Sequence, residues 1–214
     1  MFLKVAVSSL LSRKGSAVMT LMAISVAIFV LLGIEQIRQQ ARESFASTVS
    51  GVDLIVGAKT GSLNLLLYSV FRIGSPTDNI SWQAYREIAD ADDVAWTIPI
   101  SLGDSHKGYR VVGTTEAFFK YFSFGKERRL AFYKGEAFEG TFDAVLGSEV
   151  ATALGYSMGT EVILAHGLAS ASFTKHDNQP FVVVGILAPT GTPVDHTIHV
   201  RLEGIEAIHA GGSK

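Results

Sequence analysis

The sequence predicts an α+β protein: one N-terminal transmembrane helix with a stalk, followed by a mixed α/β head. Three observations predict this class. An uncharged run fills residues 15–34. Short segments with helical or alternating apolar spacing follow over residues 50–214, separated by glycine-rich turns. The 214 residues are 48% hydrophobic and 18% charged, with a mean hydropathy of +0.30, too charged for a bundle of membrane spans.

Composition excludes several classes of function. A formal net charge of −2 argues against a nucleic-acid partner, which would require a basic surface. The absence of cysteine excludes disulfides, thiolate zinc sites, iron–sulfur clusters and cysteine nucleophiles.

Residues 15–34 are predicted to span a membrane. A helix of that length measures about 30 Å, the thickness of a bilayer core. A buried soluble helix would show a polar stripe, and none is present. A cleaved signal peptide, the other alternative, has a shorter apolar stretch that ends in a small-x-small site, whereas this run ends in Glu35 and Gln36.

Basic residues set the expected orientation. Residues 1–14 contain Lys4, Arg13 and Lys14 and no acid, whereas the charges after the span are mixed. The positive-inside rule therefore places the N-terminus in the cytoplasm and the head outside, in the periplasm of a bacterium. We expect residues 1–14 to be an amphipathic segment on the inner leaflet, with Lys4 near the headgroups; a frayed tail is the alternative.

Residues 35–49 are predicted to continue the membrane helix as a stalk, because they lack glycine and proline. Ile34, Ile37, Ala41 and Phe45 recur at helical spacing and form one narrow apolar stripe. Such a stripe requires a partner, either the head of the same chain or the stripe of a second copy.

The first half of the head, residues 50–112, is predicted to alternate strands and helices. The pattern predicts a buried strand at 52–56 and then a helix, with Ser62 as its N-cap, that presents Leu63, Leu66, Leu67 and Val70. A loop at 74–79 precedes a helix capped by Ser81 that buries Trp82, Tyr85, Ile88 and Ala89. Strands at 94–102 and 109–112 follow, joined by a turn at 103–108.

The second half begins with an aromatic helix (Phe118, Phe119, Tyr121 and Phe122), predicted to fill the core; an exposed apolar patch is the alternative. The remaining pattern predicts a solvated charged loop at 126–129 and strands at 142–146, 160–164, 181–184 and 196–202. Between the first two of these strands, we expect a helix that is capped by Ser148, packs Val150, Ala153 and Leu154, and ends at Gly155. A polar loop is predicted at 166–180, and a last helix that packs Ile205 and Ile208 ends the pattern.

Catalytic motifs are absent from the sequence. It contains no G-x-S-x-G, no H-E-x-x-H and no Walker phosphate loop, so we expect no catalytic or cofactor-binding residues and no enzymatic activity. His196 and His199 are expected on opposite faces of one strand. His166, His176 and Asp177 flank the polar loop and could meet to bind zinc; the alternative is that all three are solvated.

Four segments, at 51–81, 111–122, 144–162 and 181–200, together with the N-terminal span, resemble permease subunits of the MacB/LolC/FtsX-like ABC transporter superfamily. The resemblance implies a periplasmic core domain between the first two of four membrane helices, with an inserted subdomain here at roughly 115–180. The head would accordingly consist of two subdomains. The other three membrane helices are not among these 214 residues, so the chain is expected to be either a fragment of a longer permease or a truncated product.

The resemblance also implies partners and a role. Such permeases sit in the bacterial inner membrane, form homodimers or pair with a second permease, and bind a cytoplasmic ABC ATPase and a periplasmic adaptor. They transmit ATPase motion to a head that handles an envelope substrate. Some relatives have a histidine-rich loop, which is reduced here to His166 and His176. The alternatives are a membrane-anchored binding or regulatory module controlling a cell-envelope hydrolase, and a tethered enzyme.

Overall fold

The computed structural model describes residues 12–74, 78–166 and 179–210, with only the backbone described at 41–47 and at His166. The chain divides into two compact units, Met1–Phe45 and Ala46–Lys214. The helices are α1 (Lys14–Thr48), α2 (Ser62–Ser69), α3 (Trp82–Ala89), α4 (Ala117–Tyr121), α5 (Ser148–Leu154) and α6 (Leu202–Ala210), with a 3-10 turn at Pro193–His196. The strands are β1 (Ser101–His106), β2 (Tyr109–Thr114), β3 (Ser123–Phe124), β4 (Arg128–Arg129), β5 (Phe132–Gly135), β6 (Asp143–Leu146), β7 (Glu161–Val162), β8 (Ala165–His166), β9 (Phe181–Leu187) and β10 (Thr197–Arg201).

Helix α1 is 35 residues long and contains both the predicted span and most of the predicted stalk without interruption. Its residues Lys14–Gln40 are long and apolar enough to cross a membrane, and none of its apolar window is buried in the protein. The predicted transmembrane helix is therefore present as a candidate membrane span near the N-terminus.

The head contains a mixed eight-stranded sheet in the order β5-β9-β6-β10-β2-β1-β8, with β7 also paired to β9. The β10–β2 and β6–β9 pairs are parallel, and the other pairs are antiparallel. A two-residue turn joins β1 to β2, in which Lys107 and Gly108 have φ values of 47° and 87°. Two successive positive φ values are typical of the type I′ turn that matches strand twist.

Hydrophobic clusters cover both faces of the sheet. On β6, Ala144 and Leu146 belong to one cluster, whereas Val145 belongs to the other, because successive side chains of a strand point to opposite faces. Helices α5 and α6 pack on the first cluster, and α4 supplies Phe118 to the second. The predicted α+β class is confirmed.

Several predicted helices form where the spacing places them. Helix α2 is present, although its N-cap is Gly61 and Ser62 is its first residue. Ser81 caps α3 as predicted, through a bond from the Ala84 amide to its hydroxyl. Gly155 ends α5 in the left-handed conformation, with φ of 66°. Helix caps depend on the residue type at the helix end and on its nearest neighbours, so they can be predicted from the sequence.

The aromatic helix and the last helix also agree with their predictions. Phe118 and Phe122 are buried, so the aromatic cluster fills the core. Ile208 is buried on α6, and Ile205 packs beside it.

Other local predictions are wrong. Residues 52–56 form no strand, and Leu54 is 75% exposed. Residues 94–100 are not strand either; the hairpin lies further on, because Lys107 and Gly108 form the turn that sequence reasoning placed at 103–108. An apolar run alone does not specify a partner strand, and pairing is decided by the rest of the sheet.

Three predicted burials or bounds also fail. Trp82 is 60% exposed, Ala153 is exposed and Ala151 is buried in its place, and His196 lies in the 3-10 turn rather than on a strand. The last difference arises because Pro193 starts a helical turn.

Residues 128–129 of the predicted charged loop form the exposed strand β4, paired with β3. The polar loop at 166–180 lies mostly outside the described residues.

Candidate functional site

The membrane helix is the first candidate functional element. Arg13 and Lys14 are exposed at the start of α1. Lys4, the third residue predicted to set orientation, lies outside the described residues. Large apolar side chains cover the exposed surface of the helix after that point, among them Val18, Met19, Leu21, Met22, Ile24, Val26, Ile28, Phe29, Leu31 and Leu32. Such a continuous apolar surface is stable in lipid but not in water.

The predicted stalk stripe lies on the same helix. Ile34 and Ile37 are 58% and 68% exposed, so they contact little within their own unit. Ala41 and Phe45 belong to α1, but their side chains lie outside the described part of the structure. The stripe and its partner therefore stay predictions.

Within the head unit, a short joint holds the residues that directly follow α1. The Ser50 amide donates to the Ser123 carbonyl at 2.9 Å, and the Ser123 hydroxyl donates to the Ser50 carbonyl at 2.7 Å. The two residues form an isolated antiparallel bridge, and Ser123 starts β3, which follows α4 directly. We call this contact the Ser50–Ser123 joint. It connects the chain just after Thr48 to the aromatic core of the head.

A cavity of about 620 Å³ lies in the head. We call it the arginine cavity. Its lining comes from the two residues Phe71 and Arg72 after α2, from the β1–β2 turn and the start of β2, and from the segment around the 3-10 turn. The residues are Phe71, Arg72, Gly108, Tyr109, Arg110, Gly191, Thr192, Pro193, Asp195, His196 and Thr197.

Arg72 is the most unusual residue of this cavity. It has a left-handed φ of 59° just after α2, where the Ile73 amide donates to the Leu67 carbonyl at 2.9 Å. Glycine is normal at such a position, and a side chain there costs about 1 kcal/mol. Its guanidinium is buried and donates to the Ser69 carbonyl. Burial lowers the pKa of Arg72 to about 10, which leaves it charged at neutral pH.

Arg110, on β2, is the second buried arginine, and it donates to the Gly74 carbonyl. Burial lowers its pKa, an effect that Tyr68 opposes. Burial likewise raises the pKa of Tyr68, and the positive charge of Arg110 opposes that shift. The Tyr68 hydroxyl is buried and has no hydrogen-bond partner among the described residues.

Asp195 supplies the negative charge of the cavity wall. Its carboxylate accepts bonds from the amides of Thr190 and Gly191 and from the Thr190 hydroxyl, at 2.7–3.0 Å. Across residues 12–74, 78–166 and 179–210, no ion pair joins this carboxylate, or any other, to Arg72 or Arg110.

The histidines do not assemble into a metal centre in the part of the chain that the structure describes, where no cluster of three metal-ligating side chains occurs. The zinc hypothesis depends on His166, His176 and Asp177, whose side chains lie outside those residues, so it stays untested. His196 is exposed and His199 is fully buried, so the two are not joint ligands.

His199 instead belongs to the core. Its ring stacks on Phe118 at 4.7 Å between centroids, and its Nε2 lies 3.2 Å from the Thr197 hydroxyl. Its Nδ1 is buried and has no hydrogen-bond partner among the described residues. Burial, reinforced by the charge of Arg72, lowers the pKa of His199 to about 3, although Val145 opposes the shift.

Sequence reasoning did not identify the arginine cavity. The available signal was the cation in Val70-Phe71-Arg72-Ile73, directly after an apolar helix. A charged side chain in such a stretch is either solvated or buried with a compensating partner, and residue spacing does not distinguish the two cases.

The structure defines a class of protein: an α+β head preceded by an apolar helix able to cross a membrane. The model of the MacB-like periplasmic core domain matches residues 17–208, which is most of the chain. The chain belongs to this family, which places it among ABC-transporter-type permeases. Comparison with curated protein sequences gives no match.

Proposed function

We propose that this chain is the N-terminal part of a permease subunit that transmits the motion of a cytoplasmic ATPase to a periplasmic head. The observation that supports this most is the uninterrupted helix α1, which runs from the membrane segment to Thr48. A continuous helix resists bending over its length and so can transfer displacement along its axis. The matched family supports the ABC-transporter context.

The Ser50–Ser123 joint supports the second step of the proposal. Ser50 lies two residues after the end of α1, so a displacement of the helix end acts directly on the joint. Ser123 is adjacent to Phe122 and Phe124, both buried in the aromatic core. Because packed interiors transmit strain, the core carries that displacement into the sheet.

The proposal also sets location and partners. The N-terminus lies in the cytoplasm of a bacterium and the head in the periplasm, because Arg13 and Lys14 precede the span. The partners are a separate ABC ATPase, a second permease copy or a related permease, and a periplasmic adaptor. The head handles an envelope substrate and is not itself an enzyme.

The test uses native membranes that contain the protein in its natural complex. Purification through a tag on the head should recover an ABC ATPase. Deuterium uptake at residues 48–51 and 123–124 should then differ between the nucleotide-free complex and the complex trapped with ATP and vanadate.

A helix-breaking variant separates transmission from assembly. Gln39 is exposed on α1 beyond the predicted span, and Gln39→Pro should break the helix there. We expect this variant to retain the ATPase and to lose the nucleotide-dependent exchange, whereas Gln39→Ala retains both. Equal exchange in both nucleotide states of the wild type would contradict transmission. Recovery of a cell-envelope hydrolase without an ATPase would favour the regulatory alternative.

A further inference from the structure

The arginine cavity contains more positive charge and more hydrogen-bond donors than its own walls satisfy. A guanidinium has five N–H donors. Arg72 and Arg110 each make one side-chain hydrogen bond among the described residues, to the carbonyls of Ser69 and Gly74. Both residues are largely buried, with 7% and 9% of their surface exposed, but none of their guanidinium nitrogens is both buried and without a hydrogen-bond partner. The donors that the walls leave unbonded are therefore open to solvent and available to a ligand. Buried charges normally have a partner of opposite charge.

The backbone at Arg72 gives a second, independent indication. The residue holds a left-handed conformation that glycine would adopt without strain. Its side chain is nevertheless buried at the cavity wall. The arginine therefore holds its guanidinium at the cavity wall at a conformational cost that glycine would avoid.

The charge balance of the walls selects the class of ligand. Arg72 and Arg110 contribute two positive charges, and Asp195 contributes one negative charge. The carboxylate of Asp195 is already held by backbone amides and a hydroxyl, so it does not neutralise either arginine directly. The remaining charge matches a monoanion, and a phosphate dianion would meet repulsion from Asp195.

The other walls select the body of the ligand. Phe71, Tyr109 and Pro193 present apolar surface beside the arginines. A cavity of about 620 Å³ lies within the range of small-molecule sites, roughly 300–1,000 Å³. We propose that the arginine cavity binds a monocarboxylate with an attached apolar group, held by Arg72 and Arg110. Ligand binding at this site does not depend on coupling to an ATPase. If the ligand does not bind, the proposed permease role still stands, and if the permease role is wrong, the proposed ligand site still stands.

The test measures ligand binding to the full chain in detergent micelles, without any ATPase. Phenylacetate is the probe, and phenylacetamide, phenyl phosphate and inorganic phosphate are the comparison compounds. The Nε–Hε signals of Arg72 and Arg110 are followed by NMR during each titration. We expect phenylacetate to shift both signals in a saturable manner, and phenylacetamide and inorganic phosphate to shift neither.

Variants assign the binding to the cavity. Arg110→Met should weaken phenylacetate binding at least tenfold, since it removes a charge-assisted bond. Arg86→Met, which changes an exposed arginine on α3, should leave the affinity within twofold of wild type. If Arg110→Met fails to fold, the shifts of the wild-type arginine signals still decide the question.

Three results would overturn the proposal. The first is no shift of either arginine signal at 50 mM phenylacetate, on the order of the weakest useful affinity. The second is binding that Arg110→Met leaves unchanged. The third is tighter binding of phenyl phosphate than of phenylacetate, which would contradict the monoanion assignment.

Discussion

Ser50 and Ser123 are joined by a reciprocal pair of hydrogen bonds, one from the Ser50 amide at 2.9 Å and one from the Ser123 hydroxyl at 2.7 Å. This pairing connects residues 73 positions apart, and Ser123 is buried. Both residues belong to the unit Ala46–Lys214, so the segment that directly follows α1 is held within the head by specific contacts.

Ser123→Ala should loosen this joint. The variant retains the backbone bond and loses both bonds of the Ser123 hydroxyl, the one that it donates to the Ser50 carbonyl and the longer one, at 3.4 Å, that it accepts from the Ser50 hydroxyl. We therefore expect a cost of about 1 kcal/mol in the free energy of unfolding. Deuterium exchange of the Ser50 amide should accelerate. Ser157→Ala, at an exposed serine of the same head, is the matched control and should change neither quantity. Unchanged exchange in Ser123→Ala would mean that the hydroxyl bond does not support the joint.

His199 should make the head less stable as the pH falls. Its folded pKa of about 3 lies below the unfolded value of about 6.5, so the unfolded chain binds an extra proton between these values. Stability is therefore greatest above about pH 6.5 and decreases as the pH falls toward 3. Arg72 is the charged group that opposes protonation of the folded ring.

Replacement of this histidine tests the assignment. In His199→Leu, the melting temperature should decrease less between pH 7.5 and pH 4.5 than it does in the wild type, measured on the full chain in detergent. His196→Gln removes an exposed histidine and should keep the wild-type profile. A profile that stays steep in His199→Leu would show that other groups set the acid sensitivity.

Gly147 should not tolerate a side chain. A Cβ at this position would overlap the carbonyl oxygens of Val194 and Asp195 in the 3-10 turn. We expect Gly147→Ala to destabilise the head by roughly 1–3 kcal/mol, as overpacking does. Gly61→Ala is the matched control, because a Cβ there meets nothing within 4 Å and Gly61 has an ordinary φ of −64°. Equal stability of the two variants in urea would contradict this account of the contact.

Membrane orientation can be tested with single cysteines, because the chain contains none. Ser157→Cys should react with a membrane-impermeant maleimide from the periplasmic side of intact cells. Ser12→Cys should react only after the membrane is opened. Reversing the charges in Arg13→Glu with Lys14→Glu should reduce the Ser157→Cys labelling, since the positive-inside rule would then no longer favour the predicted orientation. Labelling of Ser12→Cys in intact cells would contradict the predicted orientation.

Much of the helical structure could be predicted because its causes are local. Ser81 caps α3 and Gly155 ends α5, and each uses chemistry contained within a few neighbouring residues. The strands were less predictable. Residues 52–56 have a strand pattern and no partner, whereas β1 begins at Ser101 because its pairing with β2 is set by the Lys107-Gly108 turn.

The sequence by itself determined the apolar helix, its family and the alternation of short elements, because length, charge and spacing act along the chain. The tertiary structure alone decided that Arg72 and Arg110, 38 positions apart in the sequence, line one cavity and that Ser50 meets Ser123. These contacts depend on which strands pair and which faces pack. Pairing and packing are properties of the whole sheet, so no local pattern of residues specifies them.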